Sequence, residues 1–229
     1  LFPGLEALYP IWATLSETDI LLSTQIAASE LLLSGCTTAV DHHYLFSEHL
    51  LNATDLQVEA VKPLGLRSIL CRGSMSLGQS QGGLPPDRVT QPEATILKHS
   101  QLMLEAHHDP SSGAMHQIAL APCSPFSVSK TLMRETAALA KDFGAGLHTH
   151  LSETHDENAF CEDLYGQRPL DYLEEVNWLR PNTWLAHGIH FEPTEIHRLG
   201  RAGVGITHCP SSNMILGSGI CKTLELEAA

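Results

Sequence analysis

The chain alternates between short, nearly continuous apolar runs and longer stretches with helical periodicity. Apolar runs of this length, bounded by Gly, Pro or polar residues, are typical of strands that are buried on both faces, as in parallel sheets. We predict six strands, at residues 37–41, 66–71, 118–121, 146–150, 183–187 and 204–208.

Helical patterns separate these strands. Ser16, followed by acidic residues, predicts a helix start, and the helix runs to about Ser34 before Gly35. Further helices are predicted at 55–61, 92–107, 129–143, 156–164, 169–176, 193–201 and 222–228. Residues 1–15 are predicted as a loop or the tail of a helix. Residues 72–86 form a long predicted loop, a length typical of functional or disordered segments.

The regular alternation of strand and helix predicts an α/β fold with a parallel sheet covered on both faces. A closed (β/α)8 barrel and an open doubly wound sheet both fit this pattern. Two observations favour the TIM barrel. No glycine-rich dinucleotide fingerprint follows any strand. Residues with titratable or polar side chains recur at the carboxyl ends of successive strands, and a barrel gathers those ends around one pocket.

Composition restricts the class of protein. A net charge of −13 argues against nucleic-acid and anionic-membrane partners, which select basic patches. No apolar run reaches the length of a membrane span, and Ser23 interrupts the only leader-like run, 20–22. The six cysteines form no CxxC pair, so we expect mostly buried, reduced thiols in a cytoplasmic protein.

The candidate catalytic and metal-binding residues are histidines at strand ends. His148 and His150 lie two residues apart and therefore share one face of their strand, and Glu153 follows just beyond it. His187 ends the next strand. Buried imidazoles need partners, and a bound metal would satisfy several together, because His is a preferred zinc ligand. We predict a metal site at His150 and His187, with satisfied core histidines as the alternative.

Most of the other histidines have no predicted functional role. We expect six of them to lie on the surface: His49, His99, His107, His108, His155 and His197.

Other catalytic arrangements fit the sequence less well. Pro122-Cys123 lacks the second cysteine of a cytidine-deaminase zinc motif, and a GxSxG nucleophile elbow is absent. A Cys209–His208 nucleophile pair stays open, although neighbouring strand residues face opposite ways.

Several motifs together resemble the amidohydrolase superfamily of metal-dependent (β/α)8 barrels. They are His150-x-x-Glu153, Ala186-His187-Gly188 and the segment 208–214, His-Cys-Pro-Ser-Ser-Asn-Met. Three further segments are similar to segments of the aminohydrolases acting on 8-oxoguanine, isoxanthopterin and hydroxyatrazine. They are residues 72–78, 82–86 and 121–127.

The resemblance implies a role for each matching residue. His150 corresponds to the metal ligand of the fifth barrel strand, and Glu153 to the carboxylate that moves a proton from water to the ring nitrogen. His187 corresponds to a histidine that holds the attacking hydroxide or touches the metal, so it is implied to be catalytic, metal-binding or both. The resemblance implies substrate-binding positions at Arg72, Ser74, Gln79, Ser124 and His208. For His208, with Ser212 and Asn213, structural support is an equally good interpretation.

The sequence departs from the family in one respect. The paired HxH of the first barrel strand and the aspartate of the eighth are missing, and adjacent His42 and His43 cannot present two ligands on one face. We therefore interpret residues 1–229 as a fragment of a catalytic barrel domain, an incomplete barrel holding about strands two to seven. The flanking small β-sandwich of the family would also be missing.

The implied activity is hydrolytic deamination of a purine- or pterin-like heterocycle, such as 8-oxoguanine, with release of ammonia. The implied cofactor is one divalent metal ion, zinc or else iron. The implied substrate is a small heterocycle, and we expect a homo-oligomer for the full-length protein. Two alternatives stay open: a triazine aminohydrolase or dechlorinase, and a chain that is catalytically incomplete on its own.

Overall fold

A parallel sheet runs through the molecule in chain order. This computed structural model describes residues 2–47 and 49–229. Its strands are β1 (Thr38–His43), β2 (Arg67–Ser74), β3 (His116–Pro122), β4 (Gly146–Leu151), β5 (Thr183–His187) and β6 (Gly205–Thr207). Each strand pairs in parallel with the one before it. A doubly wound sheet would reverse its strand order at a switch point, and this one does not, so the prediction of barrel-type winding is confirmed.

The sheet is an open arc rather than a closed barrel. Within the residues that the structure describes, β1 and β6 stand at opposite ends of the strand order and do not pair with each other. The prediction of an incomplete barrel of six strands is therefore confirmed.

Helices alternate with the strands, and several of them contribute buried residues to the main apolar core on the outer face of the arc. They are α1 (Phe2–Trp12), α2 (Glu17–Leu33), α3 (Ala53–Val61), α4 (Glu93–His107), α5 (Lys130–Phe143), α6 (His155–Tyr165), α7 (Pro169–Glu175), α8 (Pro193–Ala202), α9 (Pro210–Leu216) and α10 (Thr223–Ala228). The predicted start of α2 is confirmed as a capping box. The Ser16 hydroxyl accepts from the Asp19 amide at 3.3 Å, and the Asp19 carboxylate accepts from the Ser16 amide at 2.8 Å.

The two faces of the sheet differ in composition. Leu70, Leu147 and Leu185 belong to the main apolar core between sheet and helices. The opposite face carries small side chains, including Cys71 and Ala119, which form a separate cluster. Because strand residues alternate between faces, His148 and His150 share this inner face and lie inside the arc.

Local boundaries differ from prediction in several places, of which four affect the site or its surroundings. α1 is a helix where a loop or helix tail is predicted. β1 continues through His43, and β2 continues to Ser74 because residues 72–74 pair with 120–122 of β3. Gly73 allows the close approach to β1, since a Cβ there would lie 2.3 Å from the His43 carbonyl oxygen. α9 was not predicted, although proline at its first position and Gly217 after its end are helix boundary signals.

Two expectations from composition can be compared with the coordinates. The six cysteines are free thiols, and four of them are buried. Across the two described stretches of chain, no helix combines the length and the apolar character needed to cross a bilayer.

Candidate active site

A cavity of about 420 Å³ opens at the carboxyl ends of β3, β4 and β5. Its polar lining includes the three central residues of the sequence prediction, His150, Glu153 and His187. Its aromatic lining is Tyr9, Trp12, Tyr44 and Phe126, and aliphatic side chains of α1 and α9 complete much of the wall. The site is therefore a small polar cluster at one end of a mainly apolar, aromatic chamber, which is typical of small-molecule sites.

His150 presents an unprotonated nitrogen. Its Nδ1 lies 2.7 Å from the carbonyl oxygen of Cys123. A carbonyl only accepts hydrogen bonds, so Nδ1 carries the ring proton and Nε2 carries the lone pair. Burial lowers the pKa of His150, which keeps the ring neutral. This is the state in which histidine binds a metal, with its second nitrogen fixed by a backbone carbonyl.

His187 reaches the site through an unusual backbone conformation. His187 and Leu185 lie two residues apart in β5, so in an extended strand their side chains would point to the same face. Leu185 packs into the apolar core between sheet and helices, so an extended strand would point His187 away from the cavity. Its φ of +76° instead lies in the left-handed region, which non-glycine residues adopt rarely and which concentrates at functional sites. As a result its ring stacks on that of His150, with centroids 5.5 Å apart.

Glu153 lies beside His187 in a buried position. The side chain is 5% exposed, and its Oε1 is 3.5 Å from His187 Nε2. Burial raises the pKa of Glu153 to about 7 and, together with the neighbouring His150 ring, lowers the pKa of His187 to about 4. A carboxyl group that titrates near neutral pH can both accept and deliver a proton.

A second buried carboxylate fixes the turn that carries Glu153. Glu157, at the start of α6, accepts hydrogen bonds from the backbone N–H groups of Ser152 and Glu153, each at 2.9 Å. Ser152 has a φ of +53°, so the chain turns sharply directly after β4. The two hydrogen bonds hold this turn and with it the position of Glu153.

Two further histidines support His150 from within the arc. His42 stacks on the His150 ring, with centroids 5.0 Å apart, and its Nε2 donates to the Ala121 carbonyl at 2.9 Å. His148 stacks on Trp184 and donates from Nδ1 to the Trp184 carbonyl at 2.9 Å. Neither ring is part of the cavity lining. Their contacts are those of packing residues beneath the site.

The donor set fits a metal only in part. Nε2 of His150 has the lone pair, the neutral ring and the fixed orientation of a ligand. Catalytic zinc sites use three protein ligands, however, and no group of three or more His, Cys, Asp or Glu side chains in the described part of the chain is placed to hold a metal ion. A metal held at His150 therefore requires ligands in addition to these residues.

The five predicted substrate-binding residues lie outside the cavity lining. Arg72 is 1% exposed and donates to the Gln91 side chain at 2.8 Å and to His99 Nδ1 at 3.2 Å. Ser74 and Ser124 are buried, whereas Gln79 and His208 are exposed. Their substrate-binding roles stay predictions.

Sequence reasoning missed the walls of the cavity. The walls include Tyr9 and Trp12 of α1 and Ile215 and Leu216 of α9. Sequence alone does not reveal them, because helices that face a cavity have the same apolar pattern as helices that face a core. It also left the role of Asn213 open. In the structure, Asn213 Nδ2 lies 3.0 Å from His187 Nδ1.

Comparisons with known proteins identify the family of this chain. The sequence profile of the amidohydrolase family matches residues 5–228. An 8-oxoguanine deaminase of Pseudomonas aeruginosa is 57% identical over 229 residues, covering 100% of this chain and 51% of that protein. A hydroxydechloroatrazine ethylaminohydrolase of Pseudomonas sp. strain ADP is 35% identical, over 98% of this chain and 47% of that protein.

A solved structure is also similar. The zinc complex of an atrazine chlorohydrolase from Arthrobacter aurescens TC1 has a TM-score of 0.90 and 28% identity, over 99% of this chain and 50% of that one. The chain thus spans about half the length of the curated relatives that it matches.

Proposed function

Because this chain belongs to the amidohydrolase family, we propose that the full-length protein hydrolytically deaminates a flat, purine- or pterin-like heterocycle such as 8-oxoguanine. The observation that carries this proposal is the contact between Glu153 Oε1 and His187 Nε2, at 3.5 Å, beside the lone pair of His150. The 57% identity to an 8-oxoguanine deaminase supports the choice of heterocycle.

The cavity suits a flat aromatic substrate. Its volume of about 420 Å³ lies within the range of small-molecule sites. The aromatic rings of Trp12, Tyr44 and Phe126 in its lining offer faces and edges on which a planar ring packs favourably. The apolar walls also exclude bulk water from the carboxylate, which strengthens its electrostatic interactions with a bound substrate.

Glu153 performs the proton transfers in this proposal. It accepts a proton from the attacking water and delivers it to the ring nitrogen next to the carbon that bears the amino group. Protonation makes that carbon electrophilic, and the water oxygen forms a bond to it. Glu153 then takes the proton of the new hydroxyl group and passes it to the amino group, so the carbon–nitrogen bond breaks, ammonia leaves with the electron pair of that bond, and the oxygen remains as a carbonyl. A pKa of about 7 allows the same carboxyl group to act in both steps.

His150 is the residue that would hold a divalent metal, zinc or else iron. Such a metal, when bound, supplies Lewis acidity that lowers the pKa of water from about 16 towards about 7. His187 faces both Glu153 and the cavity, so it orients the water or the substrate.

The experiment is a substrate panel with the full-length, metal-loaded protein. The panel contains 8-oxoguanine, isoxanthopterin, hydroxyatrazine and the chlorinated triazine atrazine, and the products assayed are ammonia, alkylamine and chloride. Ammonia release from the purine or the pterin is expected. Release of alkylamine or chloride alone would support the second candidate, a triazine hydrolase, which the 35% identity to a hydroxydechloroatrazine ethylaminohydrolase favours. Absence of turnover with every compound would contradict both.

Two further expectations stay predictions: a homo-oligomeric full-length protein and a cytoplasmic location. The activity of the 229-residue chain on its own stays open, and the small number of ligands on the described residues favours the alternative of a catalytically incomplete chain. Metal content and ammonia release from the 229-residue chain, measured beside the full-length protein, test it directly. Stoichiometric metal and turnover in the shorter chain would contradict it.

A further inference from the structure

We propose that Asn213 is a positioning residue that fixes the tautomer and the orientation of His187, so that Nε2 of His187 carries the ring proton towards Glu153. The tautomer is inferred from geometry alone. The catalytic consequence rests on the proposed function.

The contact between the two side chains determines the tautomer. Asn213 Nδ2 lies 3.0 Å from His187 Nδ1, and both residues are buried. An amide nitrogen only donates hydrogen bonds, so Nδ1 must supply the acceptor lone pair. A neutral imidazole with a bare Nδ1 has its proton on Nε2. Nε2 is the atom that lies 3.5 Å from Glu153 Oε1.

The surroundings of Asn213 show that this hydrogen bond is its main polar contact. The side chain is 3% exposed, and its Oδ1 is buried without a hydrogen-bond partner among the described residues. A buried acceptor left unpaired is unfavourable by about 1–3 kcal/mol. An apolar side chain would avoid that penalty, so the amide contributes to His187 rather than to the stability of the fold.

The backbone of α9 holds the amide in place. The Asn213 N–H donates to the Cys209 carbonyl, and the Asn213 carbonyl accepts from the Ser218 N–H, each at 3.0 Å. The same helix contributes Ile215 and Leu216 to the cavity wall. α9 therefore couples the wall that surrounds a substrate to the ring that faces it.

The consequence separates the two roles that the resemblance leaves open for His187. A ring with its proton on Nε2 has no lone pair there, so it cannot bind a metal through that atom. It can donate a hydrogen bond to Glu153, to water or to a substrate oxygen. Asn213 thereby assigns His187 to the handling of water or substrate and leaves metal binding to His150.

The test compares two variants of Asn213 in the full-length protein. Asn213→Ala removes the donor. Asn213→Asp keeps the shape but replaces the donor with a carboxylate, which draws the proton onto Nδ1 and away from Nε2. We expect kcat to fall about 10- to 100-fold in both variants, as for other residues that orient a site histidine, with KM changed less than kcat. Wild-type kcat in Asn213→Asp would overturn the proposal, because it would mean that His187 works equally well with its proton on Nδ1.

A matched control and a direct readout complete the test. Asn158→Ala removes another amide whose Oδ1 is buried and unpaired, on α6 and outside the cavity lining, and should leave kcat unchanged. Nitrogen NMR of the wild-type protein labelled with ¹⁵N-histidine reports the His187 tautomer without any turnover. A proton on Nε2 is expected, and a proton on Nδ1 would overturn the proposal. An Nε2 proton in a protein that turns over no substrate would leave this inference intact and refute the proposed function.

Discussion

Two buried polar clusters lie near the carboxyl ends of β2 and β4, which β3 separates in the sheet, and they differ in how their hydrogen bonds are satisfied. Around Arg72, at the end of β2, the guanidinium donates to Gln91 and His99, and His99 in turn contacts Asp55 at 3.2 Å. The guanidinium also lies 4.1 Å above the Phe46 ring. Around Glu153, at the end of β4, the nearest ionisable partner is His187 at 3.5 Å, and both side chains face an open cavity.

The difference suggests what each cluster does. The Arg72 cluster is closed around the guanidinium, because each of its three nitrogens donates to an acceptor supplied by the chain itself, and such networks stabilise a fold. The Glu153 cluster is open, because burial removes water from its carboxyl group and the contacts within the cluster do not fully replace that water. Uncompensated polar groups in a cavity are typical of sites that bind or transform a ligand, and they usually reduce stability. Substitutions in the two clusters should therefore have opposite effects on stability and activity.

The largest loss of stability is expected from Arg72→Met. The change leaves the acceptors on Gln91 and His99 without their donor, and the free energy of unfolding should fall by about 3 kcal/mol, the sum expected for two unpaired acceptors. Urea denaturation of the full-length protein measures it. Arg67→Met, at the exposed start of the same strand, is the control and should cost less than about 1 kcal/mol. A loss from Arg72→Met no larger than that of the control would show that the closed network does not stabilise the fold.

Glu157→Gln should produce an intermediate effect. The carboxylate accepts two backbone N–H groups, whereas an amide offers one oxygen and places a donor against the second N–H. We expect a loss of about 1–3 kcal/mol in the free energy of unfolding and a lower kcat, because the turn that carries Glu153 loosens. Glu162→Gln, an exposed change on the same helix, should alter neither quantity. An unchanged kcat in Glu157→Gln would show that this carboxylate does not contribute to the function of the site.

The contribution of Asp55 should depend on pH. Hydrogen bonds and charge from His99, then His107, lower the pKa of Asp55 below its ordinary value of 3.8. A carboxyl group with a depressed pKa in the folded state stabilises the fold above its ordinary pKa, and this contribution is lost as the pH falls through the lowered one. Asp55→Asn should therefore be less stable than wild type near neutral pH, with the difference shrinking in acid below about pH 4. A difference that is constant with pH would contradict this account of the cluster.

The smallest effect on stability is expected from Glu153→Gln. Burial raises the pKa of Glu153 to about 7, so the folded protein disfavours its charged form, and a neutral amide of the same shape removes that penalty. The free energy of unfolding should stay within about 1 kcal/mol of wild type or rise slightly. A loss comparable to that of Arg72→Met would mean that Glu153 belongs to a stabilising network instead.

The sequence was sufficient for the sheet and for half of the site. Continuous apolar runs predicted the six strands, and the two-residue spacing of His148 and His150 predicted a shared inner face, because both depend only on local periodicity. Glu153 follows from its position directly after that strand. These inferences require no knowledge of how distant segments pack.

Features set by backbone turns or by distant packing were harder to predict. Strand alternation alone would direct His187 outwards, and nothing local to a histidine indicates a φ of +76°. Arg72 is expected in a loop and near the substrate, but β2 continues through it, and it lies two residues from Leu70 and therefore on the helix side of the sheet. His99 and His107, expected on the surface, have side chains that are 22% and 20% exposed, because they contact Asp55 from α4 at helical spacing from Ile96 and Met103.

The most direct test of the account is the rate of ammonia release by Glu153→Gln in the full-length protein, compared with wild type at equal metal content. Positioned acid–base groups contribute about 100- to 10,000-fold to rate, so turnover of the preferred heterocycle should fall by at least about 100-fold. Metal content and unfolding free energy should stay near wild type. Ammonia release at the wild-type rate would contradict the assignment of Glu153 as the group that transfers the proton.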